Sequence, residues 1–235
     1  DGQFDFNVYD DAVAVFGKDN TSFRQLDRSL NESLIFYGHH NLMGYITGNQ
    51  DRPRFISLAG GDLKWDEDGK RAGWKREIGV GDTLAYKKLS MLMAFNMSIP
   101  GIPVIYYGDE YGMPGANDPD NRRWMKFDNL TPAEKNNLEI TRKLIKLRKT
   151  NPALIFGQTK VLHLDDSTYV IMRRYFDYIS ISAFNKSPET VELKVILPDD
   201  FAGIKLADNF GTGASTLGEV LTIKLAPWSF EILTN

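Results

Sequence analysis

The sequence predicts an α/β region followed by an all-β region. Before residue 151, apolar residues recur at helical spacing in two segments, and rising apolar content and a capping box indicate two further helices. Two short apolar runs between the helices are typical of parallel strands. After residue 157, apolar and polar residues alternate, and turn-forming residues recur about every 8–12 positions. This second pattern is typical of a small antiparallel β-sandwich. We place the boundary near residues 151–157 and expect two domains, 1–152 and 153–235.

The four predicted helices have their own start and stop signals. Their apolar positions cover Val8–Phe16, Phe23–Leu34, Thr83–Ser98 and a segment that follows Thr131. Asn20, Thr21 and Ser22 are N-cap candidates for the second helix. Thr131-Pro132-Ala133-Glu134 forms a capping box with proline at the first helical position, and the helix that it starts should stop before Asn151.

The two apolar runs, 42–47 and 102–107, are interpreted as buried strands. The polar, glycine-rich segment 49–82 has no clear period, so we predict a long loop that is functional or partly disordered. A second loop is predicted from about residue 109 to residue 129. In the all-β region, the clearest alternation is in residues 179–183, 191–195 and 221–225.

Composition excludes several classes of function. The formal net charge is only −3, so there is no electrostatic reason to expect binding to nucleic acid or anionic membranes. No apolar run approaches the ~18 residues of a membrane span. Without cysteine, the chain has no disulfide, thiol nucleophile or cysteine-zinc site. The histidines are His39, His40 and His163, and the first two precede the first strand and are interpreted as structural.

In a parallel β/α architecture, functional groups gather at the carboxyl ends of the strands. The candidates there are Asn49, Gln50, Asp51, Arg54, Asp109, Asp118 and Arg122. Charged groups in this place can bind polyhydroxylated ligands or stabilise developing positive charge. The alternatives are an exposed Asp51–Arg54 ion pair, and solvation of the loop by Asp109 and Glu110.

Two further features of these loops have competing interpretations. Asp118 and Asp120 suggest a metal loop, but no glutamate follows at the EF-hand position, so we predict no metal ligand. Trp65, Trp74 and Trp124 could stack against sugar rings, or could simply pack within the loops.

Several motifs resemble the α-amylase family of glycoside hydrolases. In order along the chain they are residues 4–13, 45–55, 101–112, 117–125, 147–154 and 225–230. The resemblance covers essentially the whole chain, in the order and spacing of that family. It implies the last strands and helices of a (β/α)8 barrel, followed by an antiparallel C-terminal β-domain.

The resemblance also implies a retaining mechanism, with a carboxylate nucleophile and a second carboxylic acid that protonates the leaving oxygen. Asp51 matches a third carboxylate of the family, which supports the oxocarbenium-like transition state. The family's histidine in this motif is replaced by Gln50, which can donate a hydrogen bond to a sugar hydroxyl but cannot become cationic. No segment matches the nucleophile or the acid/base region, and we expect both to lie upstream of Asp1.

We therefore expect the C-terminal portion of an enzyme that cleaves α-glucosidic bonds of starch-like glucans, inactive by itself. The absence of an initiator methionine and of a signal peptide is interpreted as truncation, and the compartment is not assigned, although a bacterial secreted or periplasmic parent fits. The expected ligand is an α-glucan or maltooligosaccharide. No cofactor is assigned, and calcium is left open for the parent.

Two alternatives stay open. One is a non-catalytic carbohydrate-binding or assembly module, and the other is a family member that is catalytically dead even at full length. An open barrel edge would also leave backbone groups unpaired, so self-association through that edge is expected.

Overall fold

A computed structural model describes residues 2–38 and 42–235, so His39 and His40 lie outside the described residues. Within these ranges the helices are α1 (Phe6–Gly17), α2 (Phe23–Tyr37), α3 (Phe55–Ala59), α4 (Gly69–Lys75), α5 (Leu84–Ser98), α6 (Pro132–Thr150) and α7 (Pro152–Phe156). The strands are β1 (Gly44–Ile46), β2 (Ile102–Val104), β3 (Gln158–Leu164), β4 (Thr168–Tyr175), β5 (Tyr178–Asn185), β6 (Val191–Ile196), β7 (Ala207–Asp208), β8 (Ser215–Leu217), β9 (Val220–Leu225) and β10 (Ser229–Thr234).

The α/β region is built on a parallel pair of strands. β1 pairs in parallel with β2, and Phe4 forms a further parallel bridge to Gly44. The helix starts agree with the sequence signals, because the Ser22 hydroxyl accepts from the Arg24 amide at 3.1 Å. At α6 the predicted capping box is complete, with the Thr131 amide donating to Glu134 at 2.6 Å.

Two predictions for this region are wrong. Segment 49–82 is not a continuous loop, since it contains α3 and α4, which are too short to show a helical period in the sequence. Strand β2 is not buried: Ile102 is 48% exposed, and the rest of the strand is half-buried. In the described residues β2 pairs only with β1, so its other edge faces outward.

The described strands of the all-β region form two antiparallel sheets, as the alternation predicts. One has the order β3-β4-β5-β10-β7, and the other has the order β6-β9-β8. Apolar residues from both sheets enclose a core that includes Ile181, Leu193 and Ile223. In β5, the serines that alternate with the apolar residues are also buried. The hydroxyl of Ser182 lies 2.8 Å from that of Ser98 at the end of α5.

Helix α5 is the centre of the molecule, and most of its residues are buried all around the helix. Its Phe95 contacts Phe16 of α1 and Phe184 of β5, with ring centroids 5.7 and 6.3 Å apart. A single apolar cluster therefore runs from the α/β region into the larger sheet of the sandwich.

Two buried arginines donate hydrogen bonds to backbone carbonyls where α5 ends. Arg148 of α6 donates to the carbonyls of Ile99 at 2.8 Å and Gly101 at 2.6 Å. Arg173 of β4 donates to the Ser98 carbonyl at 3.0 Å. Burial lowers the pKa of Arg148 to about 10 and of Arg173 to about 9, so both remain cationic near neutral pH. Cations in this place complement the negative end of the helix dipole.

No helix of the described ranges 2–38 and 42–235 has the length and apolarity needed to cross a bilayer.

The sandwich contains a pair of neighbouring carboxyl groups, the buried Glu231 of β10 and the exposed Asp208 of β7. Glu231 is fully buried and accepts from the amides of Asn209 at 2.9 Å and Phe210 at 2.8 Å. Asp208 accepts from the amide of Gly213 at 2.7 Å. Burial, together with the hydrogen bond to Asp208, raises the pKa of Glu231 to about 7. Hydrogen bonds from Glu231 and the loop amides outweigh burial at Asp208 and lower its pKa.

This arrangement predicts a pH dependence of stability. Because the folded chain holds the Glu231 proton more tightly than the unfolded chain, this stabilisation is complete below the ordinary pKa of 4.5 and is lost as the pH rises through about 7. Glutamine at this position mimics the protonated form. We expect Glu231→Gln to match the wild type at pH 4.5 and to be more stable by about 1–3 kcal/mol at pH 8, measured by urea unfolding. The exposed Glu192→Gln is the control, and an equal response of both variants would contradict the assignment.

Candidate functional site

The candidate site begins where β1 and β2 end. The chain leaves β1 through Thr47, Gly48 and Asn49, and leaves β2 through Tyr106 and Tyr107 towards Asp109. The Thr47 hydroxyl donates to the Asp109 carboxylate at 2.7 Å and accepts from the Tyr106 amide at 3.1 Å. The two strand ends are thereby joined, as expected from their parallel pairing.

Gly48 makes this approach possible. A Cβ atom at this position would lie 2.8 Å from Oδ2 of Asp109, closer than real Cβ contacts allow. The absence of a side chain therefore lets the Asp109 carboxylate lie against the loop that follows β1.

Beneath the two strand ends lies a buried ion pair. Nη1 of Arg54 lies 2.9 Å from Oδ1 of Asp109, and the side chains of the two residues are 1% and 4% exposed. Burial raises the pKa of Asp109, and the opposing effects of the Arg54 guanidinium and the Thr47 hydroxyl are smaller. The predicted alternatives, an exposed Asp51–Arg54 pair and solvation of the loop by Asp109, are both wrong. The cause is that residues 52–54 turn the Arg54 side chain inward, where Asp109 meets it.

Arg54 makes further contacts with all three nitrogens of its guanidinium. Nε donates to the Asn121 carbonyl at 3.0 Å, Nη1 to the Tyr107 carbonyl at 2.6 Å and Nη2 to the sulfur of Met113 at 3.4 Å. The guanidinium also lies over the Tyr106 ring, 4.2 Å from its centroid. One side chain therefore holds three separate stretches of the loops together.

Asn121 is a second organising residue, and the sequence reasoning missed it. Its side-chain amide donates to the carbonyls of Arg52 at 2.7 Å and Asn49 at 3.3 Å. This ties the short 3-10 helix Asp120–Arg122 to the loop after β1. The only signal in the sequence was its place within the motif at residues 117–125, where the charged neighbours drew attention instead.

Asp51 lies above this buried base, with its carboxylate open to solvent. Its side chain is 68% exposed, and its backbone amide donates to Oδ1 of Asn49 at 2.8 Å. Nε2 of Gln50 donates to Oδ2 of Asp51 at 2.8 Å. Nη2 of Arg122 lies 3.7 Å from Oδ1 of Asp51, and Nε of Arg122 lies 2.8 Å from Asp118.

The predicted site residues thus fall into two layers. Gln50, Asp51, Asp118 and Arg122 form a connected outer layer, and the buried residues Asn49, Arg54 and Asp109 lie beneath it. The outer layer can present carboxylate, amide and guanidinium groups to a polyhydroxylated ligand, and a fixed anion such as Asp51 can stabilise developing positive charge.

The remaining features of these loops do not form a metal centre in the described ranges, where no group of three or more histidine or acidic residues converges. Asp118 pairs with Arg122, and Asp120 pairs with Arg123 at 2.8 Å. Of the tryptophans, Trp124 is 97% exposed, while Trp65 packs under the ammonium group of Lys18.

Comparison with known proteins gives matches along the whole chain. No family model matches. A cyclomaltodextrinase of Geobacillus thermopakistaniensis is 29% identical over 241 aligned residues, which cover 99% of this chain and 36% of the relative. A cyclomaltodextrin glucanotransferase of Bacillus sp. (strain 17-1) is 31% identical over 147 residues, 58% of this chain and 20% of the relative.

Among solved structures, the α-amylase from Geobacillus thermoleovorans in complex with acarbose has a TM-score of 0.79 and 25% identity. The match covers 100% of this chain and 48% of that chain. The predicted fold class, part of a (β/α)8 barrel followed by an antiparallel β-sandwich, is confirmed by these structural matches. The chain spans about half the length of these solved relatives, and 20–36% of the length of the curated relatives just described.

The buried ion pair predicts an unequal response to substitution. Asp109→Asn leaves the Arg54 charge buried and unpaired, so we expect a loss of about 3–5 kcal/mol in the free energy of unfolding. The exposed Asp118–Arg122 pair is the matched control, and Asp118→Asn should change stability by less than about 1 kcal/mol. Urea unfolding of both variants measures the difference. Equal, small effects would show that the buried pair does not stabilise these loops.

Proposed function

We propose that this chain, which is related over its length to glycoside hydrolases of the α-amylase family, contributes one catalytic carboxylate to a longer retaining enzyme that cleaves α-glucosidic bonds of starch-like glucans. The observation that carries the proposal is the position of the Asp51 carboxylate. This group is an open carboxylate at the carboxyl end of a parallel strand, and Gln50 and Arg122 hold it above a rigid base.

In this proposal Asp51 stabilises positive charge that develops on the sugar ring in the transition state. Gln50, Asp118 and Arg122 provide hydrogen-bonding groups for sugar hydroxyls around it, and the buried Asn49 positions Asp51 by accepting from its backbone amide. The charged atoms of Arg54 and Asp109 are buried, so these residues do not touch the substrate in this proposal. They position the loops that do. Residues 1–152 would supply this catalytic part, and residues 153–235 the C-terminal β-domain.

The two other carboxylates of a retaining mechanism match no segment of this chain, so we expect the 235-residue chain to be inactive alone. Purified chain is incubated with soluble starch and with an aryl α-glucoside, and released sugar is measured. Turnover that disappears in Asp51→Asn would overturn this expectation. Asp166→Asn, at an exposed aspartate of the β3–β4 turn, is the matched control and should keep any turnover that belongs to the chain. Turnover that both variants keep comes from a contaminating enzyme.

A second candidate is a non-catalytic glucan-binding module. The almost complete exposure of Trp124, in the loop that carries Arg122, favours it, since an unpacked indole face can stack on a sugar ring. Titration of the chain with maltoheptaose tests it. Binding that Trp124→Ala abolishes, and that Phe127→Ala preserves, would support this candidate; the solved relatives include proteins in complex with maltotriose, maltose and acarbose.

We also propose that the chain self-associates through the outward edge of β2, where Ile102 is exposed. Sedimentation velocity should detect dimers at micromolar concentration. Ile102→Lys should shift them towards monomer because a charge on the edge opposes strand pairing. A wild-type chain that is folded and strictly monomeric would contradict the proposal.

A further inference from the structure

An exposed aromatic cluster lies at one corner of the sandwich, and we call it the Phe176 cluster. Its members are Phe156 at the end of α7, and Tyr175, Phe176 and Tyr178 at the β4–β5 hairpin. Phe176 is 74% exposed and Phe156 is 65% exposed. The Tyr175 ring lies 4.8 Å from the Phe176 ring and 5.4 Å from the Phe156 ring, measured between centroids. The Phe176 ring stands at 81° and the Phe156 ring at 44° to the Tyr175 ring, so three rings contact one another, unlike the single exposed apolar residues that are normal on proteins.

The backbone of Phe176 is strained. Tyr175 pairs with Tyr178, so Phe176 and Asp177 form a two-residue hairpin turn. Phe176 has a φ of +50°, at the first central position of the turn, where glycine is usual in two-residue hairpins of this kind. Its side chain is largely exposed, so packing of the ring within the chain does not offset the strain. A strained, exposed aromatic residue at a loop tip points to a binding role.

The surroundings of the cluster suit an uncharged ligand. Arg174, which donates to the Phe176 carbonyl at 3.3 Å, forms an ion pair with Asp200 and lies over the Phe201 ring. Its charge is therefore neutralised beside the cluster. The polar groups of the cluster itself are the hydroxyls of Tyr175 and Tyr178, which do not favour phosphates or anionic surfaces. A pyranose fits such a surface, since its C–H face can lie on an aromatic ring while hydroxyls line its edge.

The Phe176 cluster is separate from the candidate site. Arg148, near the end of α6, contacts the carbonyl of Gly101, which directly precedes β2. α7 and Phe156 follow α6 immediately, and β4 packs against α7. Asp109 lies beyond the other end of β2, so the cluster belongs to the amino end of the parallel strands and Asp51 to the carboxyl end.

We propose that the Phe176 cluster is a second binding platform for α-glucan chains, distinct from the site around Asp51. The ligand class rests on the function proposed above, whereas the platform rests on the ring geometry, the exposure and the strained turn. It holds a glucan by stacking on Phe176 and Phe156, with Tyr175 and Tyr178 at the edge.

Phe176→Gly separates binding from stability. Glycine adopts positive φ without strain, so the variant should unfold at a higher temperature than the wild type, while losing the ring. We expect its affinity for soluble starch and maltoheptaose, measured by affinity electrophoresis and isothermal titration, to fall at least fivefold. Phe156→Ala should also weaken binding. Phe127→Ala, which removes an exposed ring elsewhere, should leave this affinity within twofold of the wild type.

Three results would overturn the proposal that the Phe176 cluster binds glucan. In the first, Phe176→Gly keeps full affinity while Asp51→Asn or Trp124→Ala loses it, which places glucan binding at the strand ends and retains the proposed function. In the second, Phe176→Gly converts a self-associated chain to monomer without any change in glucan affinity, which makes the cluster an interface between copies. In the third, the wild-type chain binds neither starch nor maltoheptaose at millimolar sugar, while the catalytic role of Asp51 is judged separately in the longer enzyme.

Discussion

The candidate site depends on the buried ion pair between Arg54 and Asp109. Two charges withdrawn from water are tolerated only if they pair and if their remaining polar atoms find partners. Arg54 meets this condition through the carbonyls of Tyr107 and Asn121, and Asp109 through the hydroxyl of Thr47. Because these partners come from different loops, satisfying one guanidinium fixes the relative positions of all of them. The exposed Asp51 is thereby placed on a rigid support without making any contact with Arg54.

A similar constraint joins the two architectures of the chain. Helix α5 is buried all around because it packs on α1 and α6 and also on the sandwich. Its final carbonyls are taken by Arg148 and Arg173, one from each region. The change from helical to alternating periodicity marks the boundary between the α/β region and the sandwich. One apolar cluster nevertheless contains residues from both sides of this boundary. Substitutions in β5 or β4 should therefore be felt in the α/β region as well, through Phe184 and Arg173.

The long elements could be predicted because local signals agree with their final environment. α1 and α2 have apolar periodicity, α5 is rich in apolar residues, and Ser22 and Thr131 cap α2 and α6 as the sequence indicates. Short helices such as α3 have too few residues to show a period. The predicted strand ends place Asp51 and Asp109 where the structure has them. They do not predict that Asp109 is buried and that Asp51 is exposed. That difference depends on Gly48, which admits the Asp109 carboxylate, and on the inward turn of Arg54, and both are tertiary effects.

The replacement of histidine by Gln50 has a consequence for the electrostatics of Asp51. The two side chains that contact the Asp51 carboxylate are the neutral amide of Gln50, at 2.8 Å, and the guanidinium of Arg122, at 3.7 Å. The side-chain amide of Gln50 does not titrate. An imidazole in the place of Gln50 would change charge between pH 5 and 8 and would alter the field at Asp51 across that range. The hydrogen bond that Gln50 donates to Asp51 therefore brings no pH-dependent charge to the carboxylate that, in the proposed function, faces the sugar ring.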